Sequence, residues 1–312
     1  MEQFDSFINF AGLVMLAIVP YILASQGTML AGRTGIFNVA QEGIMLVGAS
    51  IGFLAALRAG NLWLGLLAAA IVGGLFGLAL AYFTATLKMD QFVIGLALFF
   101  TGLGVSSLAY KLVIGVTLQP PLIPTLRAAP IPLLNRIPLL GPILFEQNLL
   151  VYFAGLLSLV LTYFLYHTSW GLQLRSVGEN PKAADSLGIN VIGLQYATSI
   201  AGSMLMGVAG AYLPMVYTGT FTDGIVQGRG WLAIALAFFG GWRPDLIFLG
   251  AVFFAAVEVL SLRVQITGGA IPYQFLLTLP YITTILVMIF AFRRARVPAF
   301  LGLNYDREKR SV

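Results

Sequence analysis

Leu62-Trp-Leu-Gly-Leu-Leu-Ala-Ala-Ala-Ile-Val-Gly-Gly-Leu-Phe-Gly-Leu-Ala-Leu-Ala-Tyr-Phe-Thr-Ala85 is a run of 24 residues with no charged side chain. A helix needs about 20 such residues to cross the ~30 Å hydrocarbon layer of a bilayer. The run does not alternate apolar and polar positions, as a barrel strand facing a wet lumen would. It therefore reads as one membrane-spanning helix. Comparable runs recur along the 312 residues, of which 59% are apolar and 9% charged. A soluble domain carries about 25% charged residues, and the mean hydropathy here is +0.92. The fold expected is an all-α, polytopic transmembrane bundle.

Apolar runs between Gly, Pro and charged residues predict nine helices, within a range of eight to ten: 7–25, 36–57, 62–86, 91–115, 149–167, 191–216, 229–241, 245–263 and 272–292. The first is read as a retained span, because Glu2 and Asp5 replace the basic start of a signal peptide. With the N-terminus outside, eleven of the 17 basic residues fall on the inner side: Arg33, Lys88, Arg175, Lys182, Arg243 and Arg293, Arg294, Arg296, Arg307, Lys309 and Arg310 of the tail. The other six (Arg58, Lys111, Arg127, Arg136, Arg229, Arg263) fall outside or at outer helix ends. This satisfies the positive-inside rule and gives an N-out, C-in orientation. The same anchoring near anionic lipid accounts for the net charge of +5 without a nucleic-acid partner.

Gly32-Arg33-Thr34-Gly35 opens the second predicted helix and Gly228-Arg229-Gly230 the seventh, each ahead of small residues. Their opposite sidedness suggests two inverted halves, a transporter device. The chain divides into a first half (1–115), a linking helix (149–167), a cytoplasmic loop (168–190), a second half (191–292) and a basic cytoplasmic tail (293–312). The outer loop 116–148 holds seven prolines, which favour extended and turn structure, and reads as a rigid external cap or an ordinary surface loop.

Chemistry is scarce. With no cysteine and a single histidine, His167, the sequence excludes disulfides, iron–sulfur clusters and thiol catalysis and leaves almost nothing for a transition metal or a Ser-His-Asp set. No Gly-x-x-x-x-Gly-Lys-Ser/Thr loop is present to cradle a nucleotide's phosphates. No cofactor is expected, and the energy for any transport must come from a partner or an ion gradient. Asn38, Gln41 and Glu42 interrupt an otherwise apolar segment. An ionisable group there marks a functional site by default, or else pairs with Arg33 or a neighbouring helix terminus. Candidate pathway residues are Asn38, Gln41, Glu42, Gln91, Phe99 and Trp231, amides and aromatic rings that suit a sugar or nucleobase. In a lone ion-coupled carrier Glu42 or Glu258 would bind the ion, with Arg263 near enough to neutralise Glu258. A membrane-embedded enzyme would need a convergent ionisable cluster, which the sequence does not offer. In 168–190, Asn180 can cap a short surface helix over 181–187 that starts at Pro181 and stops at Gly188.

The pattern Arg33-x-Gly35…Asn38…Glu42-Gly43, followed by Gly178-Glu179-Asn180-Pro181…Ala183-Ala184…Gly188-Ile189, resembles the permease family of ABC importers for simple sugars, nucleosides and branched-chain amino acids. The likeness extends to Gly228-Arg229-Gly230-Trp231, Phe239-Gly240-Gly241-Trp242 and the tail Pro298-Ala299-Phe300-Leu301-Gly302…Tyr305-Asp306-Arg307-Glu308. The tail and the length most resemble the nucleoside-type branch. The resemblance implies about ten spans, one more than read above. It also implies a second, non-identical permease, cytoplasmic ABC ATPase subunits that hydrolyse the ATP, and an extracytoplasmic substrate-binding protein or lipoprotein. The chain would be a multi-pass protein of a bacterial cell membrane. By the same resemblance 178–188 is the helix that couples to the ATPase, through Glu179, Asn180, Pro181, Ala184 and Gly188. The orientation can be tested on its own. A green fluorescent protein fused after Val312 should fluoresce and a fused alkaline phosphatase should be inactive; the reverse would place the tail outside.

Overall fold

Six of the helices begin behind a polar residue whose side-chain oxygen accepts from an amide of the following turn, as the orphan donors of a helix start require. Asn61 does this for α3 (Leu62–Ala81), Asp90 for α4 (Gln91–Ile114), and Asn148 for α5 (Leu149–His167), at 2.9 to 3.1 Å. Thr168, Asn180 and Asn190 do it for α6 (Ser169–Glu179), α7 (Pro181–Ser186) and α8 (Val191–Tyr212). Two helices break the pattern. α2 (Gln41–Ala59) follows Ala40, and α9 (Arg229–Phe239) follows Gly228, with no cap from the preceding side chain. A long α1 (Glu2–Gly32) starts the chain, while α10 (Pro244–Ile266) and α11 (Tyr273–Ala291) complete it. The computed structural model describes residues 2–115, 117, 119–132, 134–137, 140–266, 273–291 and 297–307, and every regular element among them is helical. Arg293, Arg294, Arg296, Lys309 and Arg310 of the expected basic tail lie outside the described residues.

The helix pairings recur between α1–α4 and α8–α11. α1 crosses α8 at the centre, α3 lies on α8 as α10 lies on α1, and α4 flanks α2 as α11 flanks α9. The central crossing depends on Gly27 and Gly202, where a Cβ on either residue would sit 2.3 Å from the other's carbonyl oxygen. Close approach of small residues replaces the missing hydrophobic drive between helices in lipid. The same device recurs at Gly43 with Gly102 (α2 on α4) and at Gly73 and Gly77 against α8.

Several sequence boundaries need correction. Seven described helices are long and apolar enough to span a bilayer, so nine full spans are not reached among the described residues. α9 is 11 residues long, about 16 Å, and covers only half the hydrocarbon layer. The second predicted span does not begin at 36. α1 instead continues to Gly32, and 33–40 is a turn followed by irregular chain before α2 begins at Gln41. The apolar Ile36, Val39 and Ala40, with the half-buried Phe37, read as helix in sequence because they are shielded from solvent, not because they are helical. In the loop read over 168–190, the residues ahead of the predicted short helix form α6, which sequence reading missed; α7 itself ends at Ser186, a residue earlier than predicted. Tyr82–Thr86 and Leu213–Thr218 are π-helical ends of α3 and α8, and the outer loop carries a further π turn at Gly141–Phe145. His167 sits at the exposed end of α5, stacked on Tyr163.

The central crossing should tolerate no side chain. Gly202→Val should cost about 1–3 kcal/mol or more through forced separation of the helices, read as a lower midpoint of thermal unfolding in detergent. The same change at Gly104, which has open space around it, should leave the midpoint in place.

Candidate functional site

Non-helical backbone at membrane depth survives only where protein satisfies its amides and carbonyls. Segment 33–40 meets that demand at many of its groups. The end of α1 accepts from Thr34, Gly35 and Ile36 at 3.0 to 3.1 Å. Gln91 Oε1 accepts from the Phe37 amide at 2.6 Å, and Asn38 Oδ1 from the Ala40 amide at 2.9 Å. Gln195 Nε2 donates to the Thr34 carbonyl at 3.1 Å, Gln41 Nε2 to the Asn38 carbonyl at 3.0 Å, and the Gly302 amide to the Gly35 carbonyl at 3.0 Å. Asn38 Nδ2 also reaches Ser203 Oγ and Met206 Sδ on α8, and the Thr34 and Thr198 hydroxyls lie 2.8 Å apart. Three of the candidate pathway residues, Asn38, Gln41 and Gln91, are thus buried and hydrogen-bonded to the broken backbone. Gln195, Thr198 and Ser203 join them there. Sequence reading missed these three because single amides and hydroxyls on an apolar helix are common.

The break brings the start of α2 to the start of α9. Glu42 Oε1 accepts from the Gly228 amide and Oε2 from the Gly230 amide, each at 2.8 Å. A carboxylate from the first half thereby caps a helix of the second. It supplies the partner α9 lacks locally and opposes the positive end of that helix's dipole. Of the alternatives left open by sequence, Glu42 takes the neighbouring helix terminus and not Arg33. Gly230 has to be glycine, since a Cβ would lie 2.6 Å from the Glu42 Cα. Beside this junction the Trp231 ring packs edge-on against Phe99, 5.6 Å between centroids, and Gly43 lies against the Phe99 backbone. The structure brings Glu42, Phe99 and Trp231 together, with Gln41 next to Glu42 in the chain and Asn38 just before α2. Gln91 lies apart, where its Nε2 donates to Leu303 and Asn304 of the tail segment.

Arg229 was expected at an outer helix end. Instead it is largely buried and ion-paired with Glu258 of α10, while Arg263 bonds to Ser6 and stacks over Phe10. Glu258 is therefore neutralised by Arg229. The pair lines a cavity of about 400 Å3 with Tyr21, Gln227, Ser261 and Tyr281, and Tyr281 donates to the Gln227 carbonyl at 2.7 Å. Gly-Arg-Gly at a helix start was the sequence signal for this site; nothing in the sequence distinguished Tyr21.

At the far end of the molecule the tail segment 297–307 ties the loops together. Phe300 N donates to the Gly178 carbonyl, Arg307 pairs with Asp185 at 3.0 Å, and Lys88 pairs with Asp306 at 2.8 Å. Asn304 Nδ2 donates to the Lys88 and Met89 carbonyls. Asn180 caps α7, Pro181 and Ala184 are buried, with Ala184 packed on Val177, Val191 and Tyr305, and Gly188 ends the turn at φ +81°. Glu179 is exposed beside them. The tail thus touches both α7 and the broken segment 33–40.

Removing the interhalf cap gives a direct test. Glu42→Ala leaves two buried amides of α9 without their charged acceptor, at about 1.5–3 kcal/mol for hydrogen bonds to a charged group. The midpoint of thermal unfolding should fall accordingly, and an unchanged midpoint would show that the cap contributes nothing.

Residues 9–292 match the family described as branched-chain amino acid transport system / permease component. Among curated relatives, a guanosine ABC transporter permease of Bacillus subtilis is 33% identical, covering 93% of this chain and 94% of its own. A nucleoside ABC transporter permease of Lactococcus lactis subsp. cremoris is 34% identical, over 95% and 96%. A protein of Haloferax volcanii proposed to be a glucose ABC transporter permease is 32% identical, over 92% and 94%. These likenesses set the lone ion-coupled carrier aside. The chain belongs to the branched-chain amino acid transport system / permease component family and is a multi-pass permease of an ABC transporter.

Proposed function

We propose that this permease carries a nucleoside, or else a simple sugar, into a bacterial cell by alternating access. The observation that carries the reading is similarity over nearly the whole chain to guanosine and nucleoside permeases at 33% and 34% identity. It works with a second, non-identical permease, cytoplasmic ABC ATPase subunits that hydrolyse ATP, and an extracytoplasmic binding protein or lipoprotein that delivers the solute. α7 is the coupling helix, and Glu179, Asn180, Pro181, Ala184 and Gly188 seat it on the ATPase.

The reading has a physical route from one end to the other. ATP-driven movement of α7 reaches 33–40 through the tail segment, which bonds to both. The junction of α2 and α9 would then shift, with Asn38, Gln41, Glu42, Phe99 and Trp231 beside the solute's path and Gln91 holding the inner end of the hinge. A neutral solute suits this lining, because the carboxylates at the junction are already bound to amides and to Arg229.

The complete complex, purified through a tag on this chain, should contain an ATPase and a second permease, and vesicles holding it should take up radiolabelled guanosine only with ATP. Uptake by this chain alone under an ion gradient would overturn the reading. Gly188→Val forces a left-handed backbone on a branched residue, a strain of about 1–2 kcal/mol. Uptake should fall roughly tenfold with the membrane fold intact; normal uptake would remove 178–188 from the coupling role.

A further inference from the structure

A second cavity, of about 520 Å3, lies at the end of the molecule that carries α7. Arg33, Arg175 and Arg243 converge on it, with Tyr166, Glu179 and Leu246. All three guanidinium groups gather on one tyrosine. Arg33 Nη2 donates to the Tyr166 hydroxyl at 3.2 Å, and the Arg175 and Arg243 guanidinium carbons stand 4.9 and 5.7 Å from the centre of its ring.

The carboxylates present account for only one of these cations. Asp245 binds Arg243 through two bonds at 2.7 and 3.2 Å, and Arg33 is held to the Trp242 carbonyl at 2.8 Å. Glu179 is exposed at the rim, and Arg175 Nε is buried with no hydrogen-bond partner. Burial weakens the hold of Arg33 on its proton, and the charges of Arg175 and Arg243 act in the same direction, against Tyr166 and Glu179. A buried guanidinium donor of Arg175 without a partner, beside Arg33, whose bonds go only to a carbonyl and a hydroxyl, lacks an anion.

We infer that this cavity binds a phosphate group, that of an anionic lipid headgroup or a soluble phosphate, with Arg175 and Arg243 as its principal donors. Planar guanidinium forks match phosphate oxygens in pairs, and basic pockets between membrane helices on this side suit anionic headgroups. Leu246 at the cavity begins an exposed stripe on α10 with Leu249 and Phe253, 39%, 62% and 46% exposed. These residues share one helix face, so a headgroup in the cavity has an apolar track for its acyl chain. Glu179, at the rim of the site, ends α6 two residues before α7 begins, so the site's occupant would bear on the coupling segment.

Native mass spectrometry of the purified full chain, offered phosphatidylglycerol or phosphatidylcholine, tests the lipid source; calorimetric titration with inorganic phosphate tests the soluble one. Phosphatidylglycerol should be retained in preference. Arg175→Gln/Arg243→Gln should lower that retention roughly tenfold or more, as the loss of charged hydrogen bonds predicts. Arg243→Gln alone, an exposed position that the fold tolerates, should lower it in part. Arg58→Gln, exposed at the other membrane face, should not. Phosphate binding without lipid preference, abolished in the same variants, would support the site with a soluble ligand. Retention and titration unchanged by the variants, or no binding of either probe, would overturn the inference.

Discussion

The constraint on which this molecule depends is that a peptide group in hydrocarbon must be hydrogen-bonded. Segment 33–40 leaves the helix inside the bundle, where most of its residues are buried, and its amides and carbonyls need partners from elsewhere in the protein. Gln91, Gln195, Asn38 and Gln41 are spent on those groups, and the tail segment adds the Gly302 amide. Four different parts of the chain therefore converge on eight residues. The tight helix packing around them, set by Gly27, Gly43, Gly102 and Gly202, keeps lipid out of the break.

The break has a use. It places the start of α2 against the start of α9, two helix ends whose dipoles would repel. Glu42 resolves this by lending its carboxylate to the amides of Gly228 and Gly230. In secondary transporters, discontinuous helices that meet within the membrane form the substrate site, and the pathway proposed above uses this junction in the same way. The tail segment connects this point to α7, so that motion outside the bilayer and motion at the junction share one set of hydrogen bonds and ion pairs.

Much of the fold was legible in the sequence. The 24-residue run at Leu62 needs no tertiary information to be a span, and Asn148 and Asn190 announce the helices they cap. Pro181 and Gly188 delimited α7 to within a residue or two. The candidate residues were located but not their partners. Glu42 was visible as a charge in an apolar segment, whereas its receptor is 186 residues further on. Arg229 was placed at a helix start, where it stands, but its burial was not foreseen, because the Glu258 carboxylate that allows it lies on another helix.

By itself the sequence determined that the chain belongs in a bilayer, that it is helical, and that it holds no cysteine and no Gly-x-x-x-x-Gly-Lys-Ser/Thr run. These follow from composition and short-range chemistry, which each residue carries wherever it lies. Only the tertiary structure decided that 33–40 is not helix, that α9 is half a span, and that three arginines from three segments share one cavity. An apolar pattern reports that a segment is buried; whether it is coiled or extended depends on whether distant side chains are there to take its hydrogen bonds.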